Sequence, residues 1–134
     1  MKVKKQVKAK VTNGDYKSLT INGIHITIDG DNAHINDVEI PKKIAEYVID
    51  HVKHDSIPEL HLNYVEYEAN LTLEIEDYGI TLTQRGKELL TILFIGNDAL
   101  LLTPKHSHKV RNAEGLRRIL RREVNVLCVK YLNS

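Results

Sequence analysis

Five arginines fall within twelve residues: Arg111, Arg117, Arg118, Arg121 and Arg122. A guanidinium stays charged at any physiological pH and presents a planar fork of donors that matches a phosphate group. On a helix, Arg117, Arg118, Arg121 and Arg122 share one side, and Ala113, Leu116, Ile119 and Leu120 form an apolar stripe on the other. Just upstream, His106, His108 and Lys109 lie in a polar stretch, Lys105 to Arg111. A basic loop that feeds a helix N-terminus, where backbone N–H groups are free, is suited to phosphate. The two histidines are also candidates for proton transfer or a metal.

Other constellations are weaker. His51 and His54 stand three apart near a helix end, with Asp55, Glu59 and His61 following. An i, i+3 pair can share a metal, but no fourth ligand is suitably spaced. Exposed histidines favoured by the negative end of a helix explain the pair as well. Asp29-Gly30-Asp31-Asn32 lacks the downstream glutamate and helical flanks of a calcium loop, so it reads as a turn. Glu66, Glu68, Glu74 and Glu76 alternate, as on a solvent-facing strand or the complement of a basic patch. Cys128 is the one cysteine and lies in an apolar run, the setting of an inert buried thiol. The sequence contains no Walker loop, no G-x-G-x-x-G, no G-x-S-x-G, no H-E-x-x-H and no cysteine pair for zinc. No cofactor or metal is expected, and a binding role outweighs an enzymatic one.

The elements that position these groups follow from periodicity. Lys2 to Val11 alternates, with Val3, Val7, Ala9 and Val11 on one face and lysines on the other. Lysines on a strand also suit a sheet edge. Asn22-Gly23, between alternating apolar residues, marks a hairpin, and the short strands continue to Ile40. Pro41 opens a helix over about 41–53, where Ile44, Val48 and Val52 repeat every four residues. Ser56 and Glu59 suit a capping box for one more short turn. Strands resume from Leu60 to Leu102, with Leu89 to Ile95 apolar enough to be covered on both faces. Asn112 is the expected N-cap of a second helix over about 112–122, and Val124 to Leu132 reads as a last strand. The fold class is α+β: one domain over 1–134, mostly antiparallel β-meanders of about eight to ten short strands, with two helices.

Charge is uneven along the chain. Residues 1–17 hold six lysines against one aspartate, and residues 104–134 hold eight basic groups against two acids. Between them, residues 18–60 hold three lysines against eight acids, and residues 61–103 two basic groups against seven. Two arrangements compete. Either the ends face the acidic middle and are neutralised locally, or Lys2, Lys4, Lys8 and Lys10 join the arginines in one basic face.

The first residues lack the apolar core of a signal peptide, and no apolar run approaches a membrane span, so a cytoplasmic protein without membrane contact is expected. The leading expectation is a non-enzymatic binding or regulatory module. It holds an anionic partner, a nucleotide-type small ligand or a nucleic-acid backbone, on the arginine helix, with Arg111, Arg117, Arg118, Arg121, Arg122, His106, His108 and Lys109 as the site. Near-neutral net charge and an acidic middle favour a discrete ligand over a long polyanion. The alternative is a protein-interaction or inhibitor module, or a homo-oligomer, assembled through complementary acidic and basic surfaces.

Overall fold

Alternation along the first residues produces β1 (Val3–Asn13), with Val3, Val7, Ala9 and Val11 buried. The chain then meanders through β2 (Tyr16–Ile21), β3 (Ile24–Asp29), β4 (Asn32–Ile35) and β5 (Val38–Ile40). Asn22 makes the β2–β3 turn at φ 50° and Asn36 the β4–β5 turn at φ 53°, a conformation that asparagine tolerates better than most residues. The Asn36 side chain ties the two turns together: its Nδ2 donates to the Gly23 carbonyl (2.8 Å) and its Oδ1 accepts from the His25 N–H (3.2 Å). Pro41 leads into α1 (Lys42–His51), which buries Ile44, Ala45, Tyr47, Val48 and Ile49.

The second meander comprises β6 (Val65–Glu76), β7 (Gly79–Gln84), β8 (Lys87–Ile95), β9 (Asp98–Leu102) and β10 (Ser107–Val110), followed by α2 over 114–122. The computed structural model describes residues 3–53 and 65–122. The expected last strand, the capping box at Ser56 and Glu59, and the strand expected from Leu60 therefore lie outside the described residues. Two expectations are corrected. Residues 107–110, read as loop, pair with β9 as a strand, of which only Val110 is buried. Asn112 is not the N-cap of α2: it takes φ 53° in the turn before the helix.

The ten described strands form one antiparallel sheet in the order β10-β9-β8-β7-β6-β1-β2-β3-β4-β5. Every pairing but one joins strands adjacent in the chain. The exception is the seam between β1 and β6, which runs the full length of β1 from Val3↔Ile75 to Asn13↔Val65. β1 is therefore central, not an edge. α1 packs on β2, β3 and β4 and also on β8, although β8 and β3 are five places apart in the sheet. Only strong curvature allows this, and the sheet is rolled nearly into a barrel. Inside the roll, Leu19, Ile21, Ile24 and Ile26 face Leu73, Ile80, Leu82, Leu90 and Ile92 across a gap of about 10 Å³. That is barely space for one water, so this part of the roll is core and not a ligand cavity.

Polar clamps fix α1 against the second meander. The buried Gln84 side chain accepts from the Lys53 N–H (2.8 Å) and donates to the Lys53 carbonyl (2.7 Å). The Tyr67 hydroxyl donates to the Val52 carbonyl (3.0 Å). Burial, then the Asp50 charge, raises the Tyr67 pKa above the usual tyrosine value. Among the described residues, no helix is long and apolar enough to cross a membrane.

Candidate anion-binding surface

α2 begins where the β8–β9 turn holds it. The Ala113 N–H donates to the Asn97 carbonyl (2.7 Å), and the Asn112 N–H to Asp98 Oδ1 (3.0 Å). Ala113, Leu116 and Leu120 turn inward and are buried, which leaves Arg118, Arg121 and Arg122 exposed. Arg117 is half-buried, with its guanidinium carbon 5.2 Å from the centre of the Phe94 ring, in cation–π range.

Asp98 is the electrostatic hinge at this corner. It receives the Asn112 N–H, and its other oxygen lies 3.5 Å from Lys109 Nζ. The Asn112 hydrogen bond, then Lys109 and the charge of Arg111, hold its carboxyl below the ordinary aspartate value. Lys109 and Arg111 are thus grouped around a carboxylate that the protein itself supplies at the entry to α2.

The histidines lie elsewhere. His106 closes the β9–β10 turn: its N–H donates to Thr103 Oγ1 (2.9 Å) and its carbonyl accepts from the Thr103 N–H (2.8 Å). β9 separates this turn from Asp98, a distance of roughly 15 Å at strand rise. His108 is half-buried on β10 opposite Leu101. Neither imidazole lines the arginine clefts.

Two of the β1 lysines are paired across the seam. Lys4 Nζ lies 3.5 Å from Glu74 and Lys8 Nζ 3.4 Å from Glu68, while Lys10 stands opposite Glu68 in register. Lys2 lies outside the described residues. For Lys4 and Lys8, local neutralisation describes the charge better than a shared basic face. The arginines differ: none of Arg111, Arg117, Arg118, Arg121 and Arg122 forms an ion pair with a described residue.

Two adjoining clefts share Arg117 and Arg121. A polar one, about 170 Å³, is completed by Asn97, Glu114 and Arg118. The other, about 210 Å³, runs between α2 and the β6–β7 turn, with Val3, Ile75, Ile80, Phe94 and Leu120 as apolar walls and Glu76, Asp77 and Gly79 opposite the arginines. No family model, curated protein or solved structure matches the chain.

Sequence reasoning had Arg117, Arg118 and Arg121 but not the groove beside them. Phe94 reads as core and Asp77-Tyr78-Gly79 as a turn, while Glu76 reads as solvent face or as the complement of a basic patch. The one residue that marks this corner in the sequence is Gly79: in the structure a β-carbon there would collide with the Ile92 carbonyl, so the two strands need glycine to approach. Among the described residues no three His, Cys, Asp or Glu side chains come together. His51 instead bonds the Tyr47 carbonyl (2.7 Å) and stacks on the Tyr47 ring, and His54, Asp55, Glu59 and His61 lie outside the described residues. Guanidiniums do not release protons at physiological pH, so Arg117, Arg118 and Arg121 supply positive charge and hydrogen-bond donors to the polar cleft.

Proposed function

We propose that this protein is a cytoplasmic, non-enzymatic binding or regulatory module that holds a phosphate-bearing partner on the arginine face of α2. The observation that carries this reading is the set of arginines around one polar cleft, Arg117, Arg118 and Arg121, which make no ion pair with a carboxylate among the described residues, Glu114 at the cleft wall included. Charged groups without internal partners attract external ones, and guanidiniums select phosphate through paired hydrogen bonds. Arg122 is exposed one step beyond and adds to the local field.

Titration calorimetry with inorganic pyrophosphate tests the reading directly. Binding is expected at low salt, weakening as salt rises. The Arg117→Ser, Arg118→Ser, Arg121→Ser, Arg122→Ser variant is expected to fold and to lose binding. If it binds pyrophosphate as the parent does, the reading fails.

One observation favours a second reading. Asp15, Asp29, Asp31, Asp37 and Glu39 are exposed on the first meander and also lack ion pairs with described residues. Unpaired acids on one region and unpaired arginines on another suit head-to-tail homo-oligomers or a protein partner. Native mass spectrometry at moderate salt separates the two. A retained phosphate-bearing adduct supports the first reading, and an adduct-free oligomer that the arginine variant dissolves supports the second.

A further inference from the structure

We infer that the phosphate-bearing partner is a nucleotide with an amino-bearing base, and that its base occupies the groove between α2 and the β6–β7 turn. The inference rests on the reading of α2 as a phosphate-binding helix and adds what lies on the other side of the phosphate.

The groove and the polar cleft meet along Arg117 and Arg121, so one ligand can touch both. Their separate volumes, about 210 and 170 Å³, together reach the lower end of small-molecule sites, roughly 300 Å³ upward. The groove is not a second anion site. Its walls, Phe94, Ile80 and Leu120 among them, are apolar, and Glu76 and Asp77 face the arginines from the β6–β7 turn. A second phosphate would be repelled there.

The occupant must therefore be apolar in body and donor-rich at the far end. A purine or cytosine ring meets both needs. Its faces are apolar and stack on aromatic rings or guanidinium planes. Phe94 and Arg117 already form such a pile, with the guanidinium over the ring. The exocyclic amino group of the base supplies donors, and ionised carboxylates only accept. Glu76 already accepts the Tyr78 hydroxyl, and a carboxylate has capacity for more than one donor. Uracil has no amino group, and its one ring N–H donor is flanked by two carbonyl oxygens that would face the carboxylates unfavourably.

Binding of ADP, GDP, UDP and inorganic pyrophosphate is measured by calorimetry on the full chain at one salt concentration. ADP and GDP are expected to bind at least about fivefold more tightly than pyrophosphate, the low end of what one stacked base contributes, with UDP weaker than either. Phe94→Leu keeps apolar volume but removes the ring and is expected to bring ADP towards the pyrophosphate level. Asp77→Asn, at an exposed position, is expected to narrow the gap between ADP and UDP. Arg118→Ser is expected to weaken all four ligands by similar factors.

Equal affinity for ADP and pyrophosphate overturns the inference and leaves phosphate binding standing. Preference for ADP that neither Phe94→Leu nor Asp77→Asn alters also overturns it, because the base then lies outside the groove. Failure of all four ligands to bind removes the inference together with the reading on which it rests.

Discussion

Along β1, Lys4 and Lys8 reach the carboxylates of Glu74 and Glu68 on β6. Along α2, Arg117, Arg118, Arg121 and Arg122 form no ion pair with a carboxylate among the described residues. Both segments are rich in positive charge in the sequence, so charge density alone does not distinguish them. Register does. In a strand seam each outward residue has fixed neighbours: β6 sets Glu74 opposite Lys4, and Glu68 lies opposite Lys10 and diagonally within reach of Lys8. Among the described residues α2 faces no such partner row, and this is the difference on which the proposed anion site rests.

The largest effect is expected where the arginine groove meets the sheet. Gly79→Ala forces a β-carbon against the Ile92 carbonyl and should destabilise the protein by about 3 kcal/mol in urea unfolding. A neutral result would mean that β7 and β8 can part without cost, and the groove would lose its rigid wall. Next, Arg118→Ser is expected to weaken pyrophosphate binding roughly tenfold, as loss of a charge-assisted contact does, with Lys8→Ser nearly silent. Equal losses would erase the distinction between the two regions.

A smaller effect concerns the seam itself. Lys8 and Glu68 are both more than half exposed, so a double-mutant cycle is expected to give a coupling of no more than about 0.5 kcal/mol, fading with salt. A larger value would make the pairs structural in their own right. Smallest is the pH response of Asp98. Its carboxyl is held low, so its contribution to anchoring α2 is present above the ordinary aspartate range and lost only as pH falls through the lowered value. Side-chain NMR titration is expected to find its midpoint below that of an exposed aspartate, and Lys109→Ala should move it back up.

Much of this architecture was visible in the residue pattern because one face of each strand is buried. Val3, Val7, Ala9 and Val11 show it in β1, as do Leu71, Leu73 and Ile75 in β6. β10 escaped because it is an edge strand that buries only Val110, which leaves His106-Ser107-His108-Lys109 looking like loop. The start of α2 was misplaced by two residues. Its first N–H partners, Asn97 and Asp98, come from a turn more than a dozen residues upstream, and no local capping rule reads that. The arginine helix itself was legible from composition and spacing. The groove was not, since Phe94, Ile80, Asp77 and Val3 meet only through the curvature of the sheet.

The single non-local pairing in the sheet has a consequence for how the chain comes to be folded. During synthesis β1 emerges first, and β2 matches it only from Lys10 to Thr12. Its long partner, β6, is made some fifty residues later. Until then β1 is a temporary open edge, and such edges recruit strands from neighbouring chains. The lysines that later face Glu74 and Glu68 guard it in the meantime, because two copies of so basic a strand repel each other. A weak coupling between Lys8 and Glu68 in the folded protein is compatible with such a role at the unpaired edge.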